Sequence, residues 1–262
     1  MLIADIRRDE LKVAVQNLYR VFGRYRFTDT IGDAAFPGFC DPGPMLAVSL
    51  DQVPADALDR FHSKALTTWG NADDFRHFLP RMLELSIENG FTLDREFLWA
   101  KLDYGNWHEW PRKEIEAIED FSLALWKCAL AEGESVEYVA AKSLAVDELL
   151  VAYARASRGL QIYLDQWEQD LASPDTEVSS AINLSHCLDS LALTTKHRPN
   201  WQGENDQECN QLMDWLIGIN PPQTIETIFF RHAESIHAER LSKANEYASW
   251  FWTTQGLGEP ND

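Results

Sequence analysis

The chain has 262 residues, of which 45% are hydrophobic and 25% charged, a balance that excludes a disordered chain. No apolar run approaches the roughly 20 residues needed to cross a bilayer. Residues 1–26 carry six basic and three acidic side chains, net +3, whereas residues 27–262 carry 17 and 39, net −22; together they make the −19 of the whole chain. A field of that sign repels phosphate backbones and anionic lipid, so it argues against nucleic-acid and membrane partners and favours a basic protein.

Leu11, Val15, Leu18 and Phe22 recur at helical spacing and predict a first helix from Leu2 to about Phe22. The same segment mixes charged with apolar residues and has no continuous apolar stretch before a cleavage site, so it does not read as a signal peptide. Residues 24–44 then crowd Gly32, Pro37, Gly38, Pro42, Gly43 and Pro44 into one long irregular loop, a place where function often resides. Pro54 opens a helix that the pattern carries to Trp69–Gly70. Asn71 or Asp73 caps the next, which runs through Phe75, Phe78, Met82 and Leu85 to Asn89–Gly90, with Pro80 inside it. A third begins near Thr92 or Asp94 and stops at Gly105, and Pro111 opens a long helix down to Ala131.

Further helices are predicted over Val136–Ser157, Gly159–Leu171, Thr176–Lys196 and Asp206–Ile219, and a long terminal helix over Gln223 to about Thr254. Leu46–Leu50 is the one weak strand candidate. The expected fold is therefore all-α: about ten helices in a bundle or a stack of helical hairpins, a HEAT-like arrangement included. It reads as a single helical domain over residues 1–262, with a subdivision into 1–131 and 132–262 as the alternative. Cys40, Cys128, Cys187 and Cys209 are scattered and suggest reduced thiols in a cytoplasmic protein.

Three groups of residues carry candidate chemistry. His232, Glu234 and His237 lie close together on the expected terminal helix, but a helical zinc pair needs two His four apart and these are five apart. A solvated helix face is the better reading, with no metal expected. In the stretch Lys101–Pro111, Trp107 and Trp110 with the acids Asp103 and Glu109 form a helix–turn–helix junction. The two indoles either anchor a protein partner or wedge the junction shut. His77 with Asp73 or Asp74 would make an acid/base pair beside that junction, although helix-terminus electrostatics and i,i+3 pairing explain the same charges. No phosphate-binding, nucleophile-elbow or paired-cysteine motif occurs, and no cofactor is expected.

The run Thr68-Trp-Gly-Asn-Ala-Asp-Asp-Phe-Arg-His-Phe-Leu-Pro-Arg-Met-Leu-Glu-Leu85, followed by Lys101-Leu-x-Tyr-x-x-Trp-x-x-Trp-Pro111, resembles the two blocks of a family of uncharacterised bacterial helical proteins. The resemblance spans roughly residues 57–130. It implies a helical bacterial protein and no particular active site. Members carry close cysteines in the loop before the first block, where this chain has Cys40 alone. The expectation that joins charge, fold and missing motifs is a non-enzymatic, protein-binding protein, most concretely an immunity or antitoxin-like protein that neutralises a basic toxin domain, with Trp107, Trp110, Asp103 and Glu109 as contacts. The alternatives are an enzyme or small-ligand protein built on His77, and a helical scaffold for protein–protein interaction.

Overall fold

A computed structural model of the chain describes residues 3–27, 42–87, 95–132, 145–156, 159–191 and 206–257. Among these the chain is all helix and turn: twelve α-helices, no strand, and one isolated bridge between Ala65 and Trp69. The helices are α1 (Ile3–Phe22), α2 (Gly43–Leu46), α3 (Ala55–Lys64), α4 (Ala72–Leu85), α5 (Arg95–Tyr104) and α6 (Arg112–Glu132). They continue with α7 (Val146–Arg155), α8 (Gln161–Ala172), α9 (Glu177–Ser190), α10 (Asp206–Ile219), α11 (Pro221–Arg231) and α12 (Ala238–Thr254). Most of the predicted 24–44 loop, Cys40 and the polar stretch 197–205 lie outside the described residues. Leu46–Leu50 is no strand: α2 ends there and a single 3₁₀ turn over Leu50–Gln52 follows.

Contacts divide the chain into two compact units. One is Arg8–Leu125; the other is Trp126–Asp262 with Met1–Arg7. The boundary inside α6 falls near the residue-131 division that the sequence offers as its alternative.

In the Arg8–Leu125 unit, Asn71 starts α4 by accepting hydrogen bonds from the Asp73 and Asp74 amides, while Asp74 accepts from the Asn71 amide in a reciprocal capping box. Pro80 lies within α4 and removes the hydrogen bond its position would make to the Arg76 carbonyl. The helix expected to reach Trp69 stops at Lys64. Leu66 adopts a left-handed φ of 64°, and the Lys64 carbonyl collects the amides of Thr67, Thr68 and Trp69. The core of this unit is aromatic, with Phe61 edge-on to Phe78 at 4.8 Å and to Trp69 at 5.6 Å.

In the other unit α9 is the hub and packs against α7, α8, α11 and α12. A helix surrounded on all sides is buried all round, and α9 accordingly buries Ser179, Ser180, Asn183 and Ser185 as well as its Leu and Ile. Asn183 uses its amide to donate 2.9 Å to the Leu130 carbonyl near the end of α6. Trp167 stands edge-on to Trp126 at 5.5 Å, and both indole N–H groups find carbonyls, Tyr163 for Trp126 and Ser180 for Trp167. Cys128 and Cys187 are buried thiols among them.

The long terminal helix is not continuous. It breaks at residues 232–237 into α11 and α12, which pack on each other as a hairpin. Ser235 donates to the His232 carbonyl (2.8 Å) and accepts from the His237 amide (3.1 Å), a local bonding pattern that competes with the helix.

Candidate functional site

The junction after α5 turns through Asn106, whose left-handed φ of 49° reverses the chain before the 3₁₀ turn Trp107–Glu109. Trp107 is 2% exposed and Trp110 6%. Trp110 donates from Nε1 to the Gly105 carbonyl (2.9 Å) and meets the rings of Phe22 and Phe75 edge-on. Their burial makes these indoles the wedge of the junction rather than anchors open to a partner. Asp103 and Glu109 stay at the surface, with His108 Nε2 3.8 Å from Asp103.

Behind this junction lies an ion network. Arg76 sits over the Trp110 ring (4.4 Å) and the Tyr25 ring (5.4 Å), pairs with Asp73 at 3.2 Å and comes within 3.7 Å of Glu114 Oε2. Glu114, in the first turn of α6, is buried; its other oxygen accepts from the Tyr25 hydroxyl (2.7 Å) and from Arg24. Burial, and then the hydrogen bond to Glu114, push the Tyr25 phenol up. His77 gives its Nδ1 to the Tyr25 carbonyl at 3.1 Å, and burial lowers its pKa. Asp73 is in its ion pair and Asp74 in its capping box, so these three residues are brought near one another in structural contacts instead of an acid/base pair.

A cleft of about 640 Å³ opens between the end of α1 and the first two turns of α6, with Arg20, Arg24, Arg112 and Lys113 in its walls. Sequence reasoning missed it, because two of its cations come from the end of α1 and the turn after it and two from the start of α6. A Gly/Pro-free pair of amphipathic helices gives no sign of which ends will meet.

In the other unit, Glu177 at the start of α9 is buried and held by Arg231 and by His232, whose Nε2 lies 2.8 Å from Glu177 Oε1. His232 is therefore no part of a solvated helix face; Glu234 and His237 sit in the turn that follows it. Among the described residues no group of three or more His, Cys, Asp and Glu could hold a metal ion, and no helix is long and apolar enough to cross a membrane.

The surface of the same unit exposes large apolar side chains: Phe230 (67%), Ile236 (91%) and Trp250 (59%). Exposed Glu226 stands one helical turn before Phe230 on α11, and exposed Glu246 one turn before Trp250 on α12, so each carboxylate shares a helix face with an aromatic ring. No family model, no curated protein and no solved structure matches the chain.

Proposed function

We propose that the protein binds a basic protein partner and neutralises it, in the manner of an immunity or antitoxin protein. Two facts about charge support this. Three of the buried acids are matched by cations, Glu114 by Arg24, Asp170 by Arg7 and Glu177 by Arg231. Such pairs are neutral, so the surplus belongs to the remaining groups. It falls on both units: 13 basic against 20 acidic residues in Arg8–Leu125, net −7, and 10 against 22 in the rest, net −12.

The observation that carries the reading is the pairing of Glu226 with Phe230 and Glu246 with Trp250 on exposed helix faces. Carboxylates draw a basic partner in, and exposed aromatic rings supply the contacts that hold it, including stacking with its arginines. On this reading the contact surface lies on α11 and α12; Asp103 and Glu109 are surface acids of the other unit, where Trp107 and Trp110 wedge the junction.

The test is co-expression with the product of the adjacent reading frame. Relief of that product's toxicity, with a complex that weakens steeply between low and physiological salt, is the expected result. Phe230→Ser with Trp250→Ser should weaken the complex by about tenfold or more, as loss of aromatic anchors does. Unrelieved toxicity together with no complex at low salt would overturn the reading.

A further inference from the structure

The cleft between α1 and α6 is lined by four cations in a chain with almost twice as many acids as bases. Its charges can be resolved one by one. Arg24 is engaged by Glu114, and Arg112 by Glu116 at 2.6 Å. Arg20 is bonded only to the neutral Asn17 amide oxygen, and Lys113 has no ion pair or hydrogen bond among the described residues. Asp120 is the one lining acid left over. It lies seven residues beyond Lys113, roughly 10 Å further along α6. Burial, with Glu116 and Glu119 nearby, raises its pKa, so that end of the cleft already disfavours further negative charge.

The opposite end is different. The Arg112 and Lys113 amides belong to the first turn of α6, whose leading N–H groups have no partner within the helix. They add donors to the two uncommitted cations. The wall between is apolar, formed by Val21, Pro111 and Ala117. A volume of about 640 Å³ is far larger than one inorganic anion and within the range of small-molecule sites.

We propose that this cleft binds a small organic phosphate, its dianion at the first turn of α6 between Arg20 and Lys113 and its body against the apolar wall. The site is independent of the protein-binding surface on α11 and α12.

Calorimetric titration of the full chain with AMP as the probe, at about 20 mM salt where screening is weak, tests it. AMP is expected to bind with a submillimolar Kd, and adenosine at least tenfold more weakly, because the charge-assisted bonds go to the phosphate. Arg20→Glu and Lys113→Glu should each weaken AMP by about tenfold or more, since neither cation holds a buried group and each reverses a charge at the dianion. Lys12→Glu, an equal change in net charge on an exposed residue outside the cleft, should leave binding nearly unchanged. The proposal fails if AMP gives no binding up to about 10 mM, if adenosine binds as tightly, or if Lys12→Glu weakens AMP as much as the cleft variants do.

Discussion

His62, on α3, is fully buried with its ring edge-on to Phe97 at 5.1 Å and the Lys101 ammonium nearby. Burial first, and Lys101 second, push its pKa from 6.5 down to about 3. The unfolded chain therefore takes up a proton on this ring below pH 6.5, and the folded chain does not until near pH 3. Stability from this group is complete above pH 6.5 and is lost as pH falls, by about 1.4 kcal/mol per unit. Urea melts at pH 7, 6 and 5 should show wild type losing stability faster than His62→Phe. A constant offset between the two would mean that His62 protonates without unfolding. His77 and His186 are also lowered by burial and act in the same direction in both proteins, so the comparison isolates His62. None of this was legible in the sequence. An isolated His beside Phe61 reads as surface or core equally well, and the partners that decide it, Phe97 and Lys101, are more than thirty positions away. Arg7 and Asp170 show the same limit. Their bidentate pair, 2.7 Å at each contact, joins residues 163 apart.

At the scale of elements, the parts that local chemistry determines were readable. Asn71 was a candidate cap because a short side-chain oxygen before an apolar-periodic run can take the orphan amides of the first turn, and it does so with Asp74 as the reciprocal partner. Asn71→Ala should lower stability by about 1 kcal/mol, measured by urea denaturation, with Asn71→Ser recovering most of it. An unchanged midpoint for Asn71→Ala would show that tertiary packing alone holds the start of α4. The break between α11 and α12 was not readable. Arg231–Glu239 contains neither Gly nor Pro, and Ala, Glu and Arg favour helix. What ends α11 is the Ser235 hydroxyl bonding within the turn and the attachment of Arg231 and His232 to Glu177, more than fifty residues earlier. The centrality of α9 was hidden for a related reason. Its buried Ser and Asn residues look like a solvent face, yet Asn183 reaches the Leu130 carbonyl of α6 and Ser179 the Thr176 carbonyl just before the helix. The Trp-rich junction was legible as a pair of readings, and burial of both indoles favours the wedge.

For the whole molecule the decisive property is unbalanced charge. Exposed pairs such as Lys12–Asp9, Arg112–Glu116 and Lys243–Glu239 are attractive, but water and salt screen each of them and leave it weak. Against them stands repulsion among the surplus carboxylates, net −7 in one unit and −12 in the other. Repulsion of this kind destabilises the compact state and is shared by many charges at distances longer than an ion pair. Salt acts differently on the two. Raising ionic strength from about 0.01 to 0.15 M shortens the Debye length from about 30 to about 8 Å, which removes long-range repulsion while leaving 2.7 Å pairs partly intact. The melting temperature at pH 7 should therefore rise with sodium chloride by a few degrees, on the scale of about 2–4 °C for each 1 kcal/mol in a chain of this size. Choline chloride should give the same rise, because screening depends on ionic strength and not on the cation. A melting temperature that falls with both salts would mean that surface attraction outweighs the surplus, and the electrostatic basis for a basic partner would fall with it.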